Sequence, residues 1–268
     1  MDRNALRLDP SELAAYERDG FFVRRRVFGE HELAELRDAA ERVARHAEAR
    51  REHPEARYAI DGNVYLEADG ATIQLEHQAE SRTLRVIEPF HHLDPRFDAL
   101  MDDPRLVEPM RGLVRSERVG LYTDKLNLKR PHEGSGFRWH QDSPYWHHFC
   151  RHLDLLPNVM VVLDAADEGN GCLRVVRGSH RQGCLPGLPG EGQLGPLFTD
   201  PRHFDLDAQV PLVLPAGSLA FFSPHSVHGS EPNRSDRPRR ALVITYQPAG
   251  HPMFKQPGER EVDPPAAA

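Results

Sequence analysis

The chain has 268 residues, enough for one large domain with a sizeable core. A formal net charge of -7 with 28 % charged residues excludes a non-specific grip on nucleic acid or on an anionic membrane surface and favours a small-molecule partner. No apolar run approaches the roughly 18 residues that span a bilayer, residues 1–4 open no signal peptide, and Cys150, Cys172 and Cys184 contain no Cys-x-x-Cys pair, so a reducing, cytoplasmic setting is expected and the oligomeric state is left open.

Asp9-Pro10-Ser11-Glu12 reads as a helix start with Ser11 as the cap, and the segment stops at Asp19-Gly20. Phe21-Phe22-Val23 is short and apolar enough for a strand. From residue 29 to about 51, Leu33, Leu36, Ala40, Val43 and Ala47 recur at helical spacing, which predicts a long helix whose charges form a solvated face. Residues 53–80 hold Pro54, Gly62 and Gly70 between short apolar pieces, so irregular loops and short strands are expected, of the kind that close over sites. A further helical stretch runs from about 95 to 114, with Phe97, Leu100, Met101, Leu106, Val107 and Met110 as its buried stripe and Pro104 dividing it.

After Gly112 the texture changes to short strands separated by turn residues, at 119–128, 137–142, 158–163, 172–176, 209–214, 218–222, 227–229 and 239–246. Strands this short at such intervals predict an antiparallel sandwich or barrel. The Gly- and Pro-rich stretch 183–201 reads as an excursion from it. The expected architecture is mainly β with N-terminal helices: a helical part over about 1–115 and a β core over about 116–250 within a single domain 1–255, then a disordered tail over 256–268.

Chemistry concentrates in Phe137-Arg138-Trp139-His140-Gln141-Asp142. Residues i and i+2 of a strand point the same way, so one metal can take both His140 and Asp142. Two polar residues facing water is the ordinary reading of such a triplet. Phe137 and Trp139 weigh against it, because a bulky apolar neighbourhood puts the polar side chains against a wall where they need partners. Far downstream, Ser223-Pro224-His225-Ser226-Val227-His228-Gly229-Ser230 offers either His225 or His228 as a further ligand, and the flanking Gly229 and Ser230 favour His228. Two imidazoles and one carboxylate on one face of a metal, with open positions opposite, are the signature of a non-haem Fe(II) oxygenase. On the next strand Arg239, Ala241, Val243 and Thr245 share one face, and a buried guanidinium at Arg239 needs an anion; were Arg239 to point outward, Arg240 would exchange roles with it.

The segment 137–142, then Glu168-Gly169-Asn170-Gly171-Cys172-Leu173-Arg174-Val175-Val176-Arg177-Gly178-Ser179-His180, then His228-Gly229-Ser230-Glu231-Pro232-Asn233-Arg234-Ser235 with Arg239, together resemble the phytanoyl-CoA dioxygenase family. Tyr16-Glu17-Arg18-Asp19-Gly20-Phe21 joins the resemblance, which so covers most of the chain. It implies a double-stranded β-helix, a cupin-like jelly roll with N-terminal helices, using Fe(II), 2-oxoglutarate as co-substrate and O2. On that pattern His140, Asp142 and His228 match the catalytic iron ligands and Arg239 the residue that grips the distal carboxylate of 2-oxoglutarate, with Ser230 helping it. Asn127 matches an amide near the other end of the co-substrate, with Thr123 beside it. The activity implied is hydroxylation of a small-molecule metabolite or natural-product intermediate, with 2-oxoglutarate decarboxylated to succinate and CO2. Related halogenases carry a small residue in place of the carboxylate, so Asp142 favours hydroxylation, desaturation or ring formation over halogenation.

Arg177 stands where family members often have Pro. His180 beside it reads as a structural or rim residue. Lys125 shares the face of Asn127 and Thr123 and is a candidate contact for an anionic substrate group, as Tyr145 and Trp146 are for the substrate pocket; His147 and His148 are open between that role and packing. Lys129 and Arg130 read as solvated surface residues. Two other readings stay open: a cupin-like metalloenzyme that uses no 2-oxoglutarate, and a metal-dependent ligand-binding or sensor protein without turnover.

Overall fold

The computed structural model describes residues 2–77 and 81–263. The chain opens with helix α1 (Pro10–Asp19), strand β1 (Phe21–Arg24) and helix α2 (Glu30–Arg50). It continues through β2 (Ala56–Ile60), β3 (Asn63–Ala68), β4 (Ala71–Leu75) and β5 (Leu84–Glu88) to α3 (Pro95–Leu100) and α4 (Pro104–Val114). The second half holds β6 (Val119–Lys129), β7 (Phe137–His140), the short α5 (Ser143–Trp146), β8 (Asn158–Val162), β9 (Arg174–Val176), β10 (Gln209–Pro211), β11 (Leu219–Phe222), β12 (His228–Ser230), β13 (Arg239–Pro248) and β14 (Glu261–Val262). Among the described residues no helix is long and apolar enough to cross a membrane.

The strands form two antiparallel sheets, a large one in the order β1-β11-β8-β13-β6-β5-β4-β3-β2 with β14 on β6, and a small one in the order β10-β9-β12-β7. This is the jelly-roll arrangement of a double-stranded β-helix. Side-chain parity divides the large sheet. Val159 and Val161 of β8, Leu219 and Phe221 of β11, and Leu242, Ile244 and Tyr246 of β13 pack with the Leu33, Leu36, Ala40, Val43 and Ala47 stripe of α2. The alternate residues Met160, Val162, Ala220, Phe222 and Ala241 turn the other way and meet Val175 of the small sheet. Helices therefore cover one face of the large sheet, and the small sheet faces the other.

Four expectations need correction. Asp9, not Ser11, caps α1: Pro10 at the first helical position has no N–H to satisfy, and the Asp9 carboxylate accepts from the Ser11 and Glu12 backbone while Glu12 closes the capping box. The part expected to be helical over 1–115 carries five strands. Within 53–77, the expected short strands are present, but in place of irregular loops between them there are tight turns that make a regular β2-β3-β4 meander and widen the large sheet; Asp61-Gly62 and Asp69-Gly70 both take positive φ, the two-residue turn that matches strand twist. Residues 78–80 lie outside the described set. Finally, 256–263 is not a free tail. Glu261 and Val262 pair with Gly120 and Val119, and the Arg260 guanidinium donates to Asp98 and Asp102; residues 264–268 lie outside the described set.

Candidate active site

Strands β7 and β12 pair antiparallel with His228 directly opposite His140, and this register is what closes 88 positions of sequence into one site. The ring centroids of the two histidines are 4.1 Å apart. Asp142 leaves the end of β7, where its backbone N–H and that of Ser143 donate to Pro224 O at 3.0 and 3.1 Å, and its Oδ2 lies 3.8 Å from His228 Nε2. One donor atom from each of His140, Asp142 and His228 lies within 4.8 Å of the others, a set that can hold a metal ion.

The rings are aimed by their own strands. His140 Nδ1 donates to Arg138 O at 2.8 Å and His228 Nδ1 to Ser226 O at 2.9 Å. A carbonyl only accepts, so Nδ1 carries a proton in both and Nε2 is the nitrogen left to ligate. Burial and the neighbouring His228 push His140 down to about 3, which keeps it neutral and able to ligate. Burial alone would raise the Asp142 carboxyl; His228, Lys125, His140 and a hydrogen bond from Asn158 hold it below its ordinary value. Asn158 Nδ2 donates to Asp142 Oδ2 at 2.9 Å, and the Thr245 hydroxyl donates to Asn158 Oδ1 at 2.6 Å. Two imidazoles that present Nε2, an ionised carboxylate and a buried orienting amide are the donor chemistry that a divalent iron site requires. His225, the other candidate ligand, turns away: Nδ1 meets Ser143 Oγ at 2.9 Å and Nε2 meets Asp154 Oδ1 at 2.8 Å.

The triad opens into a cavity of about 400 Å³ that also receives Arg239, Ser230, Asn127, Lys125, Tyr145 and Trp146. Arg239 points inward, as strand parity requires, and is 5 % exposed. Its Nη2 donates to Gly171 O at 2.9 Å, but its Nε is buried without a partner among the described residues. Burial pushes this guanidinium down to about 10. An unpaired donor on a buried cation is costly unless an anion meets it. Arg240 points outward and pairs with Asp164 and Glu41. Asn127 is 8 % exposed on the cavity wall, and its amide makes no hydrogen bond among the described residues.

Three roles read from sequence are changed by the geometry. The Ser230 hydroxyl accepts from Lys129 Nζ at 2.8 Å, not from Arg239. Thr123 does not line the cavity; its hydroxyl donates to Glu88 Oε1 at 3.0 Å and holds that carboxylate in place. Lys129, expected on the surface, is 1 % exposed, because β6 runs one residue further than expected and keeps it on the inward face of Lys125 and Asn127. Burial, then Arg239 and Arg85, push its ammonium down to about 6. Arg130 is half-buried against Glu41. His180 Nε2 donates to Glu17 O at 3.1 Å as a rim contact, Arg177 pairs with Asp19, and His147 and His148 are exposed.

Several wall residues were not anticipated. Arg85 of β5 is 5 % exposed, stacks 3.9 Å from the Phe137 centroid and donates to Gly136 O at 2.6 Å. Glu88 lies at the end of the same strand, and Tyr65, Phe198 and Phe254 close the sides. A single charge inside the apolar run Leu84-Arg85-Val86-Ile87 was the available signal for Arg85, and the shared parity of residues 125, 127 and 129 for Lys129.

The family profile described as phytanoyl-CoA dioxygenase (PhyH) matches residues 16–241. The ectoine dioxygenase of Bordetella bronchiseptica is 30 % identical over 256 residues, covering 89 % of this chain and 75 % of that protein. The L-proline trans-4-hydroxylase of Streptomyces griseoviridis is 31 % identical over 186 residues, covering 62 % of this chain and 68 % of that protein. Among solved structures, EctD from S. alaskensis in its apoform superposes with a TM-score of 0.69 at 23 % identity, covering 97 % of this chain and 86 % of that one. The matched range takes in β7 with Asp142 just beyond it, β12 and the start of β13, the segments that carry the triad and Arg239, and with it the chain belongs to the phytanoyl-CoA dioxygenase family.

Proposed function

We propose that this protein is an Fe(II)- and 2-oxoglutarate-dependent oxygenase that hydroxylates a small molecule. The observation that carries the reading is one cavity holding both the His140, Asp142 and His228 set and the unpaired Nε of buried Arg239. Bound iron and co-substrate supply activation of O2 coupled to conversion of 2-oxoglutarate to succinate and CO2.

The chain's own residues bind and orient. His140 and His228 offer Nε2 and Asp142 a carboxylate oxygen; Arg239 offers a planar fork for the far carboxylate of the co-substrate, which Lys could not match. Asn127 presents its amide on the same wall, and the apolar side chains of Met160, Leu173, Phe222 and Val243 exclude water around it. The relatives named above act, by their names, on ectoine and on L-proline, which favours a small, polar metabolite here.

Anaerobic titration of the protein with Fe(II) and then 2-oxoglutarate tests the reading. A weak visible charge-transfer band is expected, together with succinate release in air when a metabolite panel is supplied. A folded protein that gives neither band nor succinate would overturn it.

A further inference from the structure

Lys125 supplies a charge that the proposed chemistry does not use. Its Nζ lies 3.8 Å from Asp142 Oδ1 and 3.9 Å from Glu88 Oε1, close enough to be attracted by both and too far to donate to either. Among the described residues this ammonium makes no hydrogen bond. It lines the cavity, 5.9 and 5.8 Å from the ring centroids of Tyr145 and Trp146. An ammonium has three donors and no acceptor, so here three N–H groups face the space beside a metal-ligand carboxylate.

The neighbouring charges are already matched. Glu88 takes Lys255 Nζ at 2.9 Å and the Thr123 hydroxyl at 3.0 Å, so Lys255 balances it without Lys125. Arg138 at the rim pairs with Glu191 at 2.6 Å, and Arg85, 3.8 Å from Glu76, is held by its hydrogen bond to Gly136 O and by the Phe137 ring. Asp142 is taken by the triad and Arg239 by the co-substrate. Among the described residues of the cavity wall, Lys125 is the cation that makes no hydrogen bond. A cationic substrate would meet Lys125 and Lys255 together, and an apolar one would leave the three N–H groups of Lys125 without an acceptor in a wall that is otherwise largely apolar.

We propose that the substrate is a small organic acid, and that Lys125 receives its oxyanion, whether carboxylate or phosphonate, beside the metal site. The inference rests on the oxygenase reading and specifies its substrate. Size sets the upper bound: about 400 Å³, near the lower end of the roughly 300–1,000 Å³ usual for ligand sites, has to take co-substrate and substrate together. The skeleton of the acid lies against Tyr145, Trp146 and Phe254, with the Leu194, Leu197 and Phe198 excursion opposite.

The test uses the full chain loaded anaerobically with Fe(II) and 2-oxoglutarate, and matched triplets of small compounds: a carboxylic acid, its phosphonic counterpart and its primary amide. Binding is followed by fluorescence of Trp146 against a Trp146→Phe control, and turnover by succinate release. At least one acid is expected to bind or stimulate about tenfold better than its amide, with the carboxylic and phosphonic arms telling which oxyanion fits. Lys125→Met should erase that preference while the charge-transfer band still forms. Glu88→Gln, which releases Lys125 and Lys255 from a competing carboxylate, should strengthen acid binding several-fold. A lysine that only tunes Asp142 would instead alter Fe(II) affinity and shift acid and amide equally in Lys125→Met, and that result overturns the proposal. So does a panel in which no acid surpasses its amide by either readout. Loss of the band in the unmodified protein is a separate failure, of the oxygenase reading itself.

Discussion

Asn158 donates to the same oxygen of Asp142 that faces His228, at 2.9 Å from its Nδ2, and is itself pinned by the Thr245 hydroxyl. The amide fixes the carboxylate rotamer from strand β8, outside the two strands that carry the ligands. Replacing it with Leu keeps the volume and removes the donor. Asn158→Leu should weaken Fe(II) binding by about 10- to 100-fold, the usual cost of losing such an orienting partner. Metal titration by anaerobic calorimetry checks this; unchanged affinity in a folded variant would show that Asp142 is held by its backbone alone.

Adjacent arginines on β13 give a paired prediction. Arg239 faces the cavity with an unpaired Nε, whereas Arg240 is held by Asp164 and Glu41 on the opposite face. Arg239→Met should weaken 2-oxoglutarate binding by about 2–4 kcal/mol, roughly 30- to 1,000-fold, as for truncating one partner of a buried charge pair. Arg239→Lys should recover only part of that, since an ammonium cannot form the two parallel bonds. Arg240→Met should leave the affinity within about twofold and lower the melting temperature. A cupin-like enzyme without 2-oxoglutarate would show no loss of activity in Arg239→Met.

Much of this site was legible because it depends on period two. The opposition of Arg239 to Arg240 follows from strand parity, and the short β segments with their turn residues imply two packed sheets. Asp142 joins His140 by another route, since the strand ends at His140 and the Pro224 carbonyl holds the turn that carries Asp142. What stayed hidden depends on register and on where strands end. His228 was favoured over His225 by its flanking Gly229 and Ser230, but the register that sets it directly opposite His140 could not be read from the sequence. Lys129 seemed to lie past the end of its strand, so it was assigned to solvent; the pairing of Lys129 with Arg239 in the β6–β13 ladder carries it into the core. Asn158 opens an otherwise apolar strand and has no motif around it. The Asp-Gly turns of the β2-β3-β4 meander were readable signals for hairpins, outweighed by Pro54 and the scatter of glycines.

Gly171 is the backbone point on which the cation pair depends. Its carbonyl accepts from Arg239 Nη2, its φ is +73°, and a Cβ placed there would lie 2.2 Å from Glu231 O and 2.7 Å from Lys129 Nζ. Gly171→Ala combines a left-handed backbone cost of about 1–2 kcal/mol with overpacking of about 1–3 kcal/mol. A loss of a few kcal/mol in urea unfolding is expected, with weaker 2-oxoglutarate binding at temperatures where the variant is folded. Full stability in Gly171→Ala would mean that the loop 168–172 relaxes freely and does not position Arg239.

The Lys129 ammonium makes co-substrate binding depend on pH, with a sign that can be stated. Burial and the guanidinia of Arg239 and Arg85 hold it down at about 6, so near neutrality the free protein carries mostly the amine. Three acceptors, Ser230 Oγ, Glu231 O and Gly171 O, stand around Nζ ready for a third proton. A dicarboxylate arriving beside Arg239 supplies the missing negative charge and raises the affinity of Lys129 for that proton, so binding takes one up. Affinity for 2-oxoglutarate should be greatest below pH 6 and fall above it, by up to about tenfold per unit, until the pH passes the raised value of the bound state. Calorimetry at pH 7.5 in two buffers of different ionisation enthalpy should register the uptake, and Lys129→Met should abolish both the uptake and the slope. An affinity flat in pH in the unmodified protein, or proton release on binding, would show that Lys129 is charged before the co-substrate arrives and that its three acceptors, not an incoming anion, balance it.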